Sequence, residues 1–400
     1  MTSNEDQDRS SLGPSPRLPA PGARPPVHGL RPQVRVALVH DWLTGMRGGE
    51  KVLEEICAIY PAAPVYTLVR TPGSVSRAIE EKRILTSFVQ ALPAAGRRYR
   101  SYLPLFPTAV ELFDLDGYDL VISSSHCAVK SVIRAPRAVH VCYCHSPMRY
   151  AWDQFNAYFG PEQVGRWRSW LLRREMARLA RWDASTAHRV DRFVANSAYV
   201  AARIHRYYNR GSTIVYPPVD TAFYRPPDDA RRPDSSFLIV SALVPYKRLD
   251  VAIDACRRLA VPLKIVGRGP EQAWLEKLAG NETQFLGWRT DEEIRNLYRS
   301  AAATLLPGVE DFGMVPVEAQ ACGCPVVALG VGGARETVID GVTGILAQNE
   351  SFAEAVDRCR RTTFDRQVIR EHAQRFSRQR FRHEFQAAVA DALGGAGVSA

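Results

Sequence analysis

Nowhere in its 400 residues does the chain approach the 18 or so unbroken apolar residues of a membrane-spanning helix. Its first 33 residues also lack the apolar central stretch of a secretory signal. A cytoplasmic protein is therefore expected. The eight cysteines are poorly spaced for a metal: Cys142 with Cys144 and Cys322 with Cys324 form C-x-C pairs, and neither has a second pair at zinc-site spacing. In a reducing compartment they read as small buried hydrophobes. No G-x-G-x-x-G opens the first helix, which argues against a nicotinamide dehydrogenase. The net charge of +10 and pI near 9.3 ask for an anionic partner, whether nucleic acid, acidic lipid or phosphorylated substrate. No aromatic-basic RNA motif favours the first of these, and no nucleic acid is expected.

What is present reads as an ordinary globular protein, 46% apolar and 24% charged. Residues 1–33, rich in Pro, Gly, Ser and Arg, cannot bury enough apolar surface to offset ordering and are expected to form a disordered tail. After them, "VRVALVH" is β-rich, "DWLTGMRGGE" supplies turn residues and "KVLEEICAIY" reads as a helix. Short apolar runs then recur at "YDLVISSS", "AVHVCYCH" and "RFVANS". Such strands separated by helical stretches predict a parallel sheet covered on both faces. Pro217 and Pro218 interrupt the pattern, which then restarts with "SFLIVSAL", "LKIVGRGP", "ATLLPGVED" and "PVVAL". The expected fold class is α/β, with two doubly wound Rossmann-like domains facing across a cleft, 34–218 and 219–380. Gln367 to Leu393 reads as helix, and 381–400 is expected to pack back on the first domain.

Two glutamates, Glu310 and Glu318, flank seven residues in "GVEDFGMVPVEAQACG". On one continuous helix they would lie about 12 Å apart along the axis and would not converge. Pro316 suits a first helical turn. That would place Glu318 in that turn and leave Glu310 on the preceding loop, with the free N–H groups of Gly313, Met314, Val315 and Val317 facing outward, where the helix dipole favours an anion. The competing reading makes Glu318 an acidic residue stabilising its own helix start and leaves Glu310 solvated.

"EDFGMVPVEAQACGCPVVA" closely resembles the E-x(7)-E signature of the family 4 retaining glycosyltransferases of GT-B fold. "VGG…ETVIDGVTGIL", "IVGRGP", "FLGW" and "YPPVD" are similar to the same family, and "HSPMRYAWD" with "SALVPYKR" resembles its bacterial mannosyltransferase branch. The resemblance implies that Glu310 contacts the donor sugar and Glu318 the nucleotide ribose, that Lys247 binds the diphosphate and that His145 orients the sugar, with His126 a weaker candidate. It also implies donor contacts by Gly313, Met314 and Val315, by Gly48 and Gly49 of "GMRGGEK", and by Gly267, Phe285 and Leu286. The donor would be a nucleotide diphosphate sugar, GDP-mannose foremost, and the acceptor a saccharide or lipid-linked saccharide, with no cofactor and no divalent metal. The family commonly places an arginine where this chain has Ala242, so Arg248 is expected to supply the second cation. "DLD" at Asp114 to Asp116 precedes a strand where a metal-binding D-x-D would follow one, and it is set aside. A non-catalytic nucleotide-sugar or nucleic-acid binder is the alternative.

Between Arg166 and Arg210 stand eleven arginines against Glu175, Asp183 and Asp191. Taken as a helix, this stretch lines Leu172, Met176 and Leu179 on one face and Arg174, Arg178 and Arg181 on the opposite one, with Trp167, Trp170 and Trp182 on the flanks. One reading is a core-packed helix with a solvated arginine face. The other, for residues 166–182, is docking on an anionic inner membrane leaflet.

Overall fold

The computed structural model describes residues 34–227, 234–348 and 350–395; the tail expected over 1–33 lies outside them. Strand β1, Val36–Leu43, is buried at seven of its eight positions, as a strand covered on both faces must be. It runs three residues beyond the expected end at His40. Asp41 can continue the strand into the interior because its carboxylate accepts the main-chain N–H groups of residues 126–129.

Strands β2 (Val65–Arg70), β3 (Ile84–Thr86), β4 (Leu120–Ser125), β5 (Val139–Cys144), β6 (Arg192–Ala195) and β7 (Ser212–Ile214) complete the first sheet. Its order is β3-β2-β1-β4-β5-β6-β7, parallel throughout. Strands β8 (Phe237–Val240), β9 (Leu263–Val266), β10 (Thr283–Gly287), β11 (Ala303–Leu306), β12 (Val326–Leu329) and β13 (Gly344–Ala347) form a second parallel sheet, in the order β10-β9-β8-β11-β12-β13. Apolar clusters pack against each sheet.

Helix α1, Gly48–Ile59, starts earlier than expected. Glu50 reaches back to accept the Arg47 N–H at 3.0 Å, a bond that draws Gly48 and Gly49 out of the loop and into the first turn. Short helix α2, Arg149–Trp152, follows β5, and α3, Arg166–Ser185, follows it. The α3 face bearing Met176 and Leu179 is buried and Arg174, Arg178 and Arg181 are exposed, as the 3.6-residue period requires. Asp183 anchors this helix: its fully buried carboxylate takes Lys130 Nζ at 3.0 Å, Trp152 Nε1 at 2.7 Å and the hydroxyl of Tyr208 at 2.8 Å, the last from α4, Ala198–Tyr208.

In the second half α5 (Leu249–Leu259), α6 (Asp291–Ser300) and α7 (Met314–Ala321) connect the strands. The helix read over Gln367 to Leu393 is two helices, α8 (Arg366–Gln374) and α9 (Arg378–Gly395). The chain straightens between them to pair with the linker, the Val219 N–H donating to the Phe376 carbonyl at 2.8 Å. Helix α9 lies on the first sheet. Phe381 and Phe385 are fully buried there, edge-on to Tyr143, each contributing about 2–3 kcal/mol by burial.

Candidate active site at the two switch points

Strand order reverses between β1 and β4 in one sheet and between β8 and β11 in the other. Crevices at the carboxyl ends of such strands are where doubly wound sheets take ligands. In the second sheet the loops after β8 and β11 meet there. A Cβ on Gly308 would stand 2.8 Å from the main-chain oxygen of Lys247, so only glycine lets the two loops approach this closely. Lys247 ends a 3-10 turn, Pro245–Lys247, and its ammonium is ion-paired with the carboxylate of Glu310, both groups being largely buried. Glu310 is held on its loop by the Gly333 N–H, which donates to its carbonyl at 2.8 Å.

Gly313 turns the chain into α7 with φ +89°, a conformation that favours glycine. Pro316 is the third helical residue, so Glu318, the fifth, lies on the second turn and not on the first as expected. Val317, the fourth helical residue, is the first with a carbonyl one turn behind it; the N–H groups of Gly313, Met314 and Val315 have no such acceptor. Glu318 faces the first half of the protein, where Lys51 of α1 donates to its carboxylate at 2.9 Å. Burial opposes the charge on Lys51, yet Glu318 and Asp291 outweigh it and raise its pKa. Gly48 abuts the same helix start, since a Cβ there would meet the Met314 sulfur at 3.1 Å.

On the first half, His145 follows β5 and its Nε2 lies 2.8 Å from Ser124 Oγ, which is also 3.1 Å from His40 Nδ1. His40, His126 and His145 lie with ring centroids 5.8–6.5 Å apart, and Gly49 packs beside His40 and His145. Burial, then the neighbouring His126, His40 and Arg149, push the His145 pKa well below its ordinary 6.5. A neutral ring so reluctant to take a proton suits orienting a hydroxyl better than removing its proton.

Two arginines complete the contact between halves. Arg149 of α2 ion-pairs with Asp311, the neighbour of Glu310, and Arg203 of α4 binds the other Asp311 oxygen at 2.8 Å. Ser197 Oγ donates to the Asp311 carbonyl at 2.6 Å, and Glu336 accepts the Ala198 and Tyr199 N–H groups. Sequence reasoning missed Lys51, Arg149, Arg203 and Asp311. Lys51, Arg149 and Asp311 lie within quoted motifs, but which residue each would meet across the cleft is not a local property.

Other expected residues stand apart. Arg248 occupies the N-cap position of α5 with φ +52°, and its guanidinium is bound by Asp250 and more than half exposed. It does not join the Lys247–Glu310 pair. Gly267 follows β9, close against the main chain of Ser241. Phe285 and Leu286 lie half-buried on β10, the edge strand two places from β8. Asp114 and Asp116 sit in a turn ahead of β4, and among the described residues no group of three or more His, Cys, Asp or Glu side chains is placed to hold a metal ion.

Two doubly wound parallel domains whose carboxyl-end crevices oppose one another, with cationic and acidic side chains meeting between them, define the GT-B class of glycosyltransferase architecture. The chain matches the model described as Glycosyltransferase Family 4 over residues 46–223 and that described as Glycosyl transferases group 1 over residues 221–380. It belongs to the family 4 glycosyltransferases. Among curated relatives it is 33% identical over 217 residues to a D-inositol 3-phosphate glycosyltransferase of Mycobacteroides abscessus, covering 47% of this chain and 48% of that protein. It is 34% identical over 177 residues to one of Frankia alni, covering 36% and 43%. The chain thus spans about half the length, or less, of these relatives. Anabaena HepE, solved in complex with UDP and glucose, superposes with a TM-score of 0.66 at 21% identity, covering 90% of this chain and all of that one. Sucrose-phosphate synthase of Thermosynechococcus elongatus superposes with 0.66 at 17% identity, covering 91% and 100%.

Proposed function

We propose that the chain is a retaining, metal-independent hexosyltransferase that moves a hexose from a nucleoside diphosphate donor to a saccharide or lipid-linked acceptor in cell-surface polysaccharide or glycolipid synthesis. The observation that carries this reading is the Lys247–Glu310 pair at the second sheet's switch point, beside the open N–H groups that start α7. In this scheme Lys247 and the amides of Gly313, Met314 and Val315 face the diphosphate, where negative charge grows as the glycosidic bond breaks. Glu310 holds the sugar hydroxyls and His145 orients the ring from the other domain. Ribose hydroxyls take the place of Lys51 as partners of Glu318. The acceptor oxygen bonds to the anomeric carbon on the face the phosphate leaves, and the departing phosphate oxygen takes the acceptor's proton. Gly48 and Gly49 border the diphosphate, and Gly267, Phe285 and Leu286 border the base.

Mannose is favoured by the resemblance of "HSPMRYAWD" and "SALVPYKR"; HepE, solved with UDP-glucose, supports the donor class. Thermal unfolding with GDP-mannose, UDP-glucose and UDP-N-acetylglucosamine tests it, because a ligand at about a hundredfold excess over Kd stabilises the native state by about 2.7 kcal/mol. GDP-mannose is expected to give the largest rise in Tm, with transfer insensitive to EDTA. A flat response to all three donors counts against the reading.

We further place the acceptor at an anionic membrane surface and the protein at the cytoplasmic face of that membrane. No helix among the described residues is long and apolar enough to cross a bilayer. Supporting surface contact, Trp167 and Trp170 do not lie on the flanks of α3: they are 70% and 49% exposed, stacked 5.2 Å apart, on the side opposite Met176 and Leu179. Leu171, Arg174, Arg178 and Arg181 are exposed with them, the mixture that seats a helix in an anionic interface. Changing both tryptophans to alanine is expected to cut binding to phosphatidylglycerol vesicles about tenfold. Wild-type protein that ignores such vesicles at low salt would rule the placement out.

A further inference from the structure

Arg149 stands between the halves of the site. Its Nη2 reaches Asp311 and its Nε lies 3.4 Å from Ser146 Oγ, next to His145. Among the described residues no hydrogen bond is made by its Nη1, and the side chain stays 28% exposed. Tyr246 links it to the neighbouring lysine: the guanidinium carbon is 6.0 Å from the centre of that ring and Lys247 Nζ is 5.3 Å from the same point. The two cations therefore approach one ring from two domains, one pairing with Glu310 and the other with Asp311, consecutive residues of one loop. Arg203, the other arginine on Asp311, is only 8% exposed and is also held by Asp153 at 2.6 Å. Lys51 is committed to Glu318. Arg248, the cation adjacent in sequence, is engaged by Asp250.

We propose that Arg149 is the second diphosphate-binding cation of the site, supplied by the first domain and presented by its pair with Asp311. This rests on the donor reading above. A diphosphate carries more charge than one lysine already neutralised by a carboxylate can balance, and the planar guanidinium keeps Nη1 free for a phosphate oxygen while Asp311 holds Nη2. Because Arg149 and Lys247 come from different domains, the anion would also draw the halves together over the donor.

Binding of GDP and UDP, each compared with its nucleoside, tests this by titration calorimetry on the full chain. Arg149→Ala is expected to weaken the better-bound diphosphate about 30- to 100-fold while leaving the nucleoside within about twofold. Arg149→Lys should recover only part of that loss, since it restores a point charge without the fork. Asp311→Asn separates phosphate binding from a mere clasp between halves: diphosphate affinity should hold at the wild-type value or rise as the guanidinium is released. Equal weakening of nucleoside and diphosphate by Arg149→Ala, no weakening of either, or the same loss in Asp311→Asn overturns the assignment and leaves the donor reading standing. Wild-type protein that binds neither diphosphate overturns both.

Discussion

Glu310→Gln is expected to lower transfer about a hundred- to a thousandfold, with donor affinity changed far less. The substitution keeps size and a hydrogen-bonding oxygen but removes the charge that faces Lys247. In the ground state that loss is modest, because the lysine can turn to the diphosphate. In the transition state, under the proposed scheme, Glu310 fixes the sugar while positive character develops at its ring, and placed groups of this kind supply about two to three powers of ten in rate. Folding should be almost untouched, since Glu310 lies on a loop and Asp311, Ser197 and Gly333 hold that loop through other atoms. Single-turnover rates and donor Kd, measured together, separate the two effects. Near-wild-type turnover would remove Glu310 from the chemistry, and a parallel collapse of Kd and rate would make it a binding group only.

The architecture was legible because it is written in local patterns. Apolar runs such as "YDLVISSS" and "AVHVCYCH" became β4 and β5, fully buried, and the arginine and apolar faces of α3 followed from its period. Boundaries failed where long-range bonds decided them. Strand β1 outran its apolar stretch because Asp41 found four amide donors 85 to 88 residues away. Helices α8 and α9 separated because the linker at Val219 pairs with the chain between them. In the site, Glu310 and Lys247 carried a motif and could be singled out, whereas Lys51 and Arg149 are solvated-looking cations until the opposing domain is in place. The turn before α7 shows the same limit at finer scale. Pro316 marked a helix start correctly, but the turn at Gly313 begins the helix two residues ahead of that proline, which carries Glu318 past the first turn.

Asp41→Ala is expected to be the most destabilising single change near the site, costing about 4 kcal/mol or more. Asp41 is fully buried, and its two oxygens accept the N–H groups of His126 at 2.7 Å, Cys127 at 2.9 Å, Ala128 at 2.7 Å and Val129 at 3.1 Å. Alanine would leave these four donors without their acceptor, and each buried orphan costs about 1–3 kcal/mol unless water enters. Against a typical total stability of about 5–15 kcal/mol, that is a large fraction. His126 cannot compensate: its ring is 3.2 Å from Asp41, but burial pushes its pKa below the ordinary value, so at neutral pH it brings no charge. An asparagine at this position keeps one acceptor oxygen but turns an NH2 toward two of the donors. Asp41→Asn should therefore fall between wild type and Asp41→Ala in urea midpoint. The loop it anchors carries His126 into the imidazole cluster beside His145, so transfer should fall in the same order. Both variants unfolding within about 1 kcal/mol of wild type would mean that water serves these amides as well as the carboxylate does, and that the loop holds its place without it.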